Sequence, residues 1–192
     1  DYQKFLERSA RLVFKALYEN AFCVWWYGIS NHQLVLETLL KAGFKVSLIP
    51  AIWYKAGPGQ CLQPDVNLAN VYETFFVCRK GTPKLRAAGK NNVFHYPPVP
   101  ALRKYHPTQK PVELMVDILQ TFCFPGATVC SPFLGSGSTL RAVYRLALKG
   151  YGWDLSDEFK RGFILKVKED LIYDKDKAFT DPEPESETTE AP

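Results

Sequence analysis

One segment of the chain reads Val129-Cys130-Ser131-Pro132-Phe133-Leu134-Gly135-Ser136-Gly137-Ser138-Thr139, and Tyr151-Gly152-Trp153-Asp154 follows it after an amphipathic run. The pattern predicts a strand at 128–130, a glycine-rich turn, a helix over 139–149 closed by Gly150, and a strand ending at Asp154. In a doubly wound sheet such a turn lies at the carboxyl end of a strand, where ligands bind. The segment therefore predicts an α/β fold with a ligand site at this turn.

The residue types of the turn indicate what it binds. Gly135 and Gly137 let the backbone approach a ligand closely, and the following helix N-terminus offers free N–H groups. Asp154 is placed to accept hydrogen bonds from ribose hydroxyls, so we expect a nucleoside-containing cofactor. No Lys precedes Ser138, which argues against a P-loop, and Leu140 stands where a dinucleotide fingerprint has its third glycine. On this segment alone, a tight turn without a ligand is the alternative.

The rest of the chain alternates between helical and strand patterns. Apolar residues at helical spacing predict a helix over 2–19, and the apolar run 22–27 is typical of a strand buried on both faces. Ser30 and Gln33 have capping-box spacing and predict the start of a second helix. Further strands are expected at 44–54 and 71–77, and further helices after Pro111 and after Ser156.

Charge is distributed unevenly along the 192 residues, whose formal net charge is +4. Residues 1–177 hold all 24 basic residues but 15 of the 20 acidic ones, which gives them a net charge of +9. A basic body of this kind can attract nucleic acid. Residues 178–192 are acidic and Pro-rich, and we expect them to be a disordered tail.

The cysteines and the hydropathy exclude several classes of protein. Five cysteines without a C-x-x-C pair argue against a disulfide framework or a zinc ribbon, so we expect no metal and a reduced, cytoplasmic compartment. No run of about 18 apolar residues predicts a membrane span, and no signal pattern begins the chain.

A basic segment punctuated by Pro and Gly occupies 79–105. Long loops in compact domains are often functional, although a solvated connector is the alternative. Its candidate contacts with nucleic acid are six residues: Lys80, Lys84, Arg86, Lys90, Arg103 and Lys104.

Two motifs together resemble a known family. The turn segment is similar to the D-P-F-x-G-S-G-T motif of the exocyclic-amino DNA methyltransferases, and residues 106–114 match their H-x-T-Q-K-P-x-x-L motif. Their order resembles the β-type arrangement. The resemblance implies a Rossmann-like class I methyltransferase fold, with three α/β/α layers and a mostly parallel sheet. It also implies the cofactor S-adenosylmethionine, a double-stranded DNA substrate and methyl transfer to adenine N6 or cytosine N4.

The resemblance also assigns residues and regions. It implies cofactor binding by His106, Thr108, Gln109, Lys110, Ser131, Phe133, Gly135, Ser136, Gly137 and Asp154. Ser131 stands where the family usually has Asp, and Asp154 where it often has Glu. We expect a methyltransferase domain over 1–177, made of catalytic-side elements at 1–78, the target-recognition loop at 79–105 and the cofactor part at 106–177.

The family's catalytic tetrapeptide, [DNS]-P-P-[YFW], does not occur in residues 1–192. Tyr96-Pro97-Pro98-Val99 lacks both the leading polar residue and the trailing aromatic. We therefore expect the catalytic strand to precede Asp1 or to come from a companion domain or subunit, and a homodimer is a further option. The alternative function is a non-catalytic module of the same fold that binds DNA or protein. A methyltransferase for RNA or protein fits the second motif less well.

Overall fold

A computed structural model describes residues 1–57, 59 and 61–178. Its helices and strands are α1 (Tyr2–Ala16), β1 (Ala21–Tyr27), α2 (His32–Lys41), β2 (Lys45–Val46), β3 (Ala51–Tyr54), β4 (Tyr72–Lys80), β5 (Val93–His95), α3 (Val112–Phe122), β6 (Thr128–Ser131), α4 (Ser138–Arg145), β7 (Lys149–Gly152) and α5 (Asp157–Ala178). Among the described residues, no helix is long and apolar enough to cross a bilayer. The predicted acidic tail lies, apart from Ala178, outside the described residues.

The strands form a mixed sheet in two parts. One part has the order β1-β4-β3-β5, with β2 also on β4, and the other is the pair β6-β7. Among the described residues, three of the five strand pairings are antiparallel, because β4 runs against β1, β2 and β3. The pairings β3-β5 and β6-β7 are parallel. The expectation of a mostly parallel sheet is wrong. The central strand β4 runs opposite to its neighbours, so all of its pairings are antiparallel.

Helices cover both faces of the sheet, which gives the three predicted layers. Side chains alternate along β4, so Phe76 packs in one cluster with residues of α1 and α2, and Phe75 packs in the other with residues of α3 and α4. Both rings are fully buried. Each cluster fills the space between one helix pair and one face of the sheet.

The strands β1 and β6 run in the same direction. The ring of Phe22, at the start of β1, lies 5.0 Å from that of Phe122, shortly before β6. At the other end, Lys110 contacts Trp26 of β1, and its carbonyl accepts a hydrogen bond from Ser138, shortly after β6. The carboxyl ends of the two strands therefore lie at one edge of the molecule, which we call the ligand edge.

Both strands are unpaired on the sides that approach each other. Among the described residues β1 pairs with β4 alone and β6 with β7 alone. Val24 and Val129 nevertheless pack against the same core cluster. The run 22–27 was expected to be buried on both faces, but the side chains of 22–26 are only partly buried and Tyr27 alone of the run is buried. This open side of β1 and of β6 is called the strand gap below.

Several predicted boundaries are wrong. The helix predicted over 2–19 ends at Ala16, and the strand predicted to end at Asp154 ends at Gly152. The capping box at Ser30 does not form, because Ile29–Asn31 makes a 3-10 turn and α2 begins at His32 without a side-chain cap. The helix predicted over 139–149 ends at Arg145, since Ala147 adopts a left-handed φ of +50° and the N–H of Leu148 donates to the carbonyl of Val143. This closure leaves Gly150 free to lie in β7.

Candidate cofactor site and DNA-contacting face

The glycine-rich turn connects β6 to α4 at the ligand edge. Gly135 and Gly137 have φ values of +54° and +71°, in the left-handed region that favours glycine. The N–H of Gly137 donates to the carbonyl of Leu134, and the N–H of Leu134 donates to the carbonyl of Trp153. The turn is thus closed on itself and fastened to the segment that follows β7.

Asp154 completes this connection with its side chain. One carboxylate oxygen accepts from the N–H of Gly135 at 2.7 Å, and the other accepts from the N–H of Ser156 at 2.9 Å. These hydrogen bonds, with a smaller contribution from nearby His106, hold the pKa of Asp154 below its ordinary value. The carboxylate is exposed, so its remaining lone pairs are available to a ligand.

His106 lies on the other side of Gly135. Its ring packs against that of Phe159 of α5 at a tilt of 56°, with 4.1 Å between centroids, and a Cβ built on Gly135 would fall 3.3 Å from His106 Nε2. The N–H of Thr108 donates to Nδ1 of the same ring, which orients it. A backbone turn, an aromatic pair and an ionised carboxylate thus meet at one place. This combination of groups suits a nucleoside with a ribose.

Leu140 occupies the place of the missing third glycine. A Cβ on Gly150 would fall 2.8 Å from its side chain, and one on Gly152 would fall 3.0 Å from it. In a dinucleotide fingerprint, the third glycine lies in the helix and allows the helix to pack closely on the strand. Here Gly150 and Gly152 of β7 allow the same close packing from the side of the strand. The departure at Leu140 does not open the turn.

The segment 105–110 is bonded to the same turn. The hydroxyl of Tyr105 donates to the carbonyl of Ser136, and Ser138 Oγ donates to the carbonyl of Lys110 at 2.6 Å. Gln109 is buried, and its side-chain oxygen accepts from the N–H of Tyr105 at 3.1 Å. The side chain of Gln109 thus shapes the segment from within.

Lys110 projects away from the turn. Its Nζ donates to Glu73 of β4 at 2.9 Å and lies 4.4 Å from the ring of Trp26. Lys55, just beyond β3, forms a second ion pair with Glu73 at 3.0 Å. Sequence reasoning did not single out Glu73 or Lys55, although a Lys and a Glu flanking two strand ends would have been the signal.

The two remaining predicted cofactor residues lie beside the turn. Ser131 ends β6, and its carbonyl accepts from the N–H of Trp153 at 3.1 Å. Phe133 is 60% exposed, with its ring 5.7 Å from that of Phe5 in α1. An exposed ring at this edge is available to cover a flat ligand. The structure brings together most of the ten predicted residues, with the side chains of Gln109 and Lys110 turned elsewhere.

The six predicted DNA-contacting residues do not share one surface. Lys80 donates to the carbonyls that end α1, and Lys90 is paired with Asp117 of α3 at 2.7 Å. The backbone N–H of Arg86 donates to the carbonyl of Thr121 near the end of α3, so the adjoining residues, Lys84 among them, lie away from the ligand edge. Arg103 and Lys104 are exposed and immediately precede Tyr105, beside the glycine-rich turn.

A family model described as DNA methylase matches residues 1–166. The chain belongs to this DNA methylase family. The "Putative methylase YubD" of Escherichia coli is 23% identical over 158 residues, which are 82% of this chain and 66% of that protein. The chain therefore spans slightly less than two-thirds of the length of that relative.

Solved structures show the same fold. M1.HpyAVI in complex with SAM superimposes with a TM-score of 0.74 and 20% identity, over 84% of this chain and 81% of that chain. The PvuII cytosine-N4-specific DNA methyltransferase gives a TM-score of 0.72 and 15% identity, over 91% of this chain and 76% of that chain. The predicted family and the class I methyltransferase fold are confirmed, and the roles of individual residues stay predictions.

This DNA methylase fold places a further segment at the ligand edge. The strand β4 begins there, opposite the end of β3, so the described residues of the loop 55–71 that joins them also lie there. The side chains of Leu62 and Leu68 are fully exposed on it, and Gln63 organises a turn by accepting from the N–H of Asn67 at 2.9 Å. Sequence reasoning placed the target-recognition segment at 79–105 and did not single out this loop, because the direction of β4 is not visible in its apolar pattern.

Proposed function

We propose that this chain is part of a DNA methyltransferase that uses S-adenosylmethionine to methylate an exocyclic amino group, adenine N6 or cytosine N4, in double-stranded DNA. The observation that carries the proposal is the meeting of Asp154, Gly135 and His106 at the ligand edge. Membership of the DNA methylase family supports the reaction class.

The residues present fit the cofactor. Asp154 would accept hydrogen bonds from the ribose hydroxyls, because it is ionised, exposed and held by two backbone N–H groups. Phe133 would cover the adenine, and the turn from Gly135 to Gly137 would lie against the methionine part. When bound, the cofactor supplies an activated methyl group.

Transfer also needs groups that hold the target amine. An exocyclic amine is a poor nucleophile because its lone pair is delocalised into the base, so orientation and hydrogen-bond acceptors dominate catalysis. The base must also be flipped out of the duplex, which costs a few kcal/mol. We propose that an extended segment carrying Asp/Asn/Ser-Pro-Pro-aromatic, which is not among residues 1–192, enters the strand gap and supplies these groups beside the cofactor.

Two observations support this place for the segment. The edges of β1 and β6 offer unpaired backbone groups, and both strands point toward the ligand edge. A strand between them would run to the place where Asp154 and the glycine-rich turn lie. The segment would come from the same polypeptide or from a companion subunit.

For DNA, we propose Arg103 and Lys104 as the phosphate contacts among the six predicted residues. They are exposed and adjoin the turn, and no carboxylate of the described residues lies within ion-pair distance of either. The exposed side chains of the loop 55–71 would face the duplex from the other side of the same edge. We retain the predicted cytoplasmic compartment as part of the proposal.

Calorimetry with S-adenosylhomocysteine tests the cofactor site. We expect residues 1–192 to bind it, and Asp154→Asn to weaken binding about tenfold through the loss of a charged acceptor. Asp157→Asn, in an exposed carboxylate three residues further on, is the matched control and should bind as the parent does. A folded parent that gives no heat, with or without the Pro-Pro segment, would contradict the proposal.

A methyl-transfer assay tests the second half. Residues 1–192 alone should incorporate no radiolabelled methyl into unmethylated DNA, and a protein that also contains the Pro-Pro segment should do so. The alternative, a non-catalytic module, is favoured by Ser131 at the usual position of an acid. It predicts DNA binding without incorporation even when the segment is present.

A further inference from the structure

Lys110 contacts both parts of the sheet. Its carbonyl accepts from Ser138 Oγ at 2.6 Å, which ties it to the first residue of α4 on the β6-β7 side. Its Nζ donates to Glu73 of β4 and lies 4.4 Å from the Trp26 ring and 5.8 Å from the Trp53 ring, all on the β1-β4-β3 side. Lys110 thus spans the strand gap near the carboxyl ends of β1 and β6.

The environment of the ammonium group makes this span specific. The Lys110 side chain is 17% exposed, and Glu73 receives a second cation from Lys55 at 3.0 Å. Burial alone would raise the pKa of Glu73, but Lys110 and Lys55 outweigh it, and the pKa is lowered. The carboxylate therefore stays ionised, and Lys110 is held between a charge and two indole faces.

The ordinary alternative is an ion pair that only adds stability. An ion pair between α3 and α4 provides the comparison: Arg145 of α4 meets Glu113 of α3 at 3.1 Å, with side chains that are 42% and 63% exposed. Such exposed pairs contribute little. The pair of Lys110 differs in two ways. Its backbone is hydrogen-bonded at the start of the helix that follows the cofactor turn, and Trp26 lies near the end of β1, whose edge toward β6 is unpaired among the described residues.

We propose that Lys110 is a positioning residue that couples occupancy of the glycine-rich turn to the placement of Trp26 and Glu73 on the other side of the strand gap. The inference rests on the proposed function. A ligand that settles on the turn shifts Ser138 and, through its hydrogen bond, the Lys110 backbone. The ammonium then moves against Glu73 and the indoles, which changes the wall that a target base would meet.

Tryptophan emission reports this coupling directly. The measurement uses a Trp153→Phe background, because the indole of Trp153 adjoins the cofactor turn and would respond to the ligand itself. S-adenosylhomocysteine is titrated while emission and heat are recorded in parallel. In this background we expect an emission change that saturates with the same Kd as the heat.

Three variants separate coupling from stability. Lys110→Met keeps the aliphatic packing and should lose the emission change, which is compared at ligand concentrations that calorimetry shows to saturate each variant. Lys110→Arg should retain the change, since it keeps the cation. Arg145→Met, which breaks the exposed pair between α3 and α4, should also retain it, and thermal melts verify that each variant is folded.

The outcomes distinguish the two proposals. An emission change that persists in folded Lys110→Met overturns the coupling, as does calorimetric binding without any emission change in the Trp153→Phe background. Absence of binding heat in the background protein instead contradicts the proposed cofactor site and removes the basis of the inference. Should Lys110→Met fail to fold, Glu73→Gln replaces it, and retention of the change in that variant overturns the coupling.

Discussion

Gly137 lies so close to Phe163 of α5 that a Cβ built on the glycine would fall 2.1 Å from the phenylalanine Cδ2. The glycine also has a φ of +71°. The turn at the candidate cofactor site is therefore packed against a helix residue that lies 26 positions further along the chain. Neither motif of the turn predicts this contact.

The first prediction concerns this contact. Gly137→Ala should destabilise the protein by about 2–4 kcal/mol, from a clash in a packed site and from the left-handed backbone. Phe163→Ala in the same chain should recover the part that is due to the clash and leave the backbone part. Urea unfolding of the two single variants and the double variant measures this. Additive losses would contradict the packing explanation.

The second prediction concerns the ion pair that fastens α5 to α4. Arg141 donates to both oxygens of Asp170 at 2.6 and 2.7 Å, and these bonds lower the pKa of Asp170 against the opposing effect of burial. Asp170→Asn should cost about 1–3 kcal/mol at neutral pH. Glu169→Gln, in an exposed pair with Lys166, is the control and should cost less than about 0.5 kcal/mol.

The pH dependence of the same pair has a definite sign. Because the pKa of Asp170 is lower in the folded state, its contribution is complete above the ordinary aspartate value of about 3.9 and is lost as the pH falls through the folded value. The difference in unfolding free energy between the parent and Asp170→Asn should therefore shrink only in that acid range. A difference that already declines near pH 6 would contradict the assignment.

The third prediction concerns DNA. Arg103→Ala with Lys104→Ala should weaken binding to duplexes of any sequence and reduce the slope of log K against log salt by about 2, because two phosphate contacts are lost. Lys84→Ala with Arg86→Ala removes the same charge away from the ligand edge and should leave the slope unchanged. Fluorescence anisotropy at several salt concentrations provides the measurement. Equal losses in both double variants would mean that charge acts without regard to place.

Much of the architecture could be predicted from local pattern. The helix at Tyr2–Ala16, the apolar strand at Ala21–Tyr27 and the turn between Ser131 and Ser138 all follow from periodicity and glycine placement. These features depend on neighbours in sequence. The approach of the 105–110 segment to the turn was predictable only because two separate motifs matched one family.

The rest depends on contacts that local pattern does not contain. The apolar run of β4, in which Phe75 and Phe76 are both buried, does not show which way the strand runs in the sheet. The edge at which Glu73 lies therefore could not be predicted. Ala147 follows α4 with a left-handed φ, a conformation in which glycine is the usual residue at the end of a helix. The basic residues of 79–105 looked alike in sequence, and only the packing of Arg86 against the end of α3 separates them from Arg103.

The last prediction tests the strand gap through two cysteines that flank it. Burial, and to a lesser degree Cys130, raises the pKa of Cys23 to about 12, and burial raises the pKa of the exposed Cys130 by less. Because the thiolate is the reactive form, iodoacetamide at pH 8 should modify Cys130 slowly and leave Cys23 unmodified. An extended peptide that carries Asn-Pro-Pro-Tyr within an apolar strand should slow Cys130 further, since it would cover β6. Cys61, in the loop 55–71, is the internal control and should react at the same rate with and without the peptide. Mass spectrometry of tryptic fragments follows all the sites in one sample. Protection of Cys61 and Cys130 to the same extent, or of neither, would contradict a strand between β1 and β6.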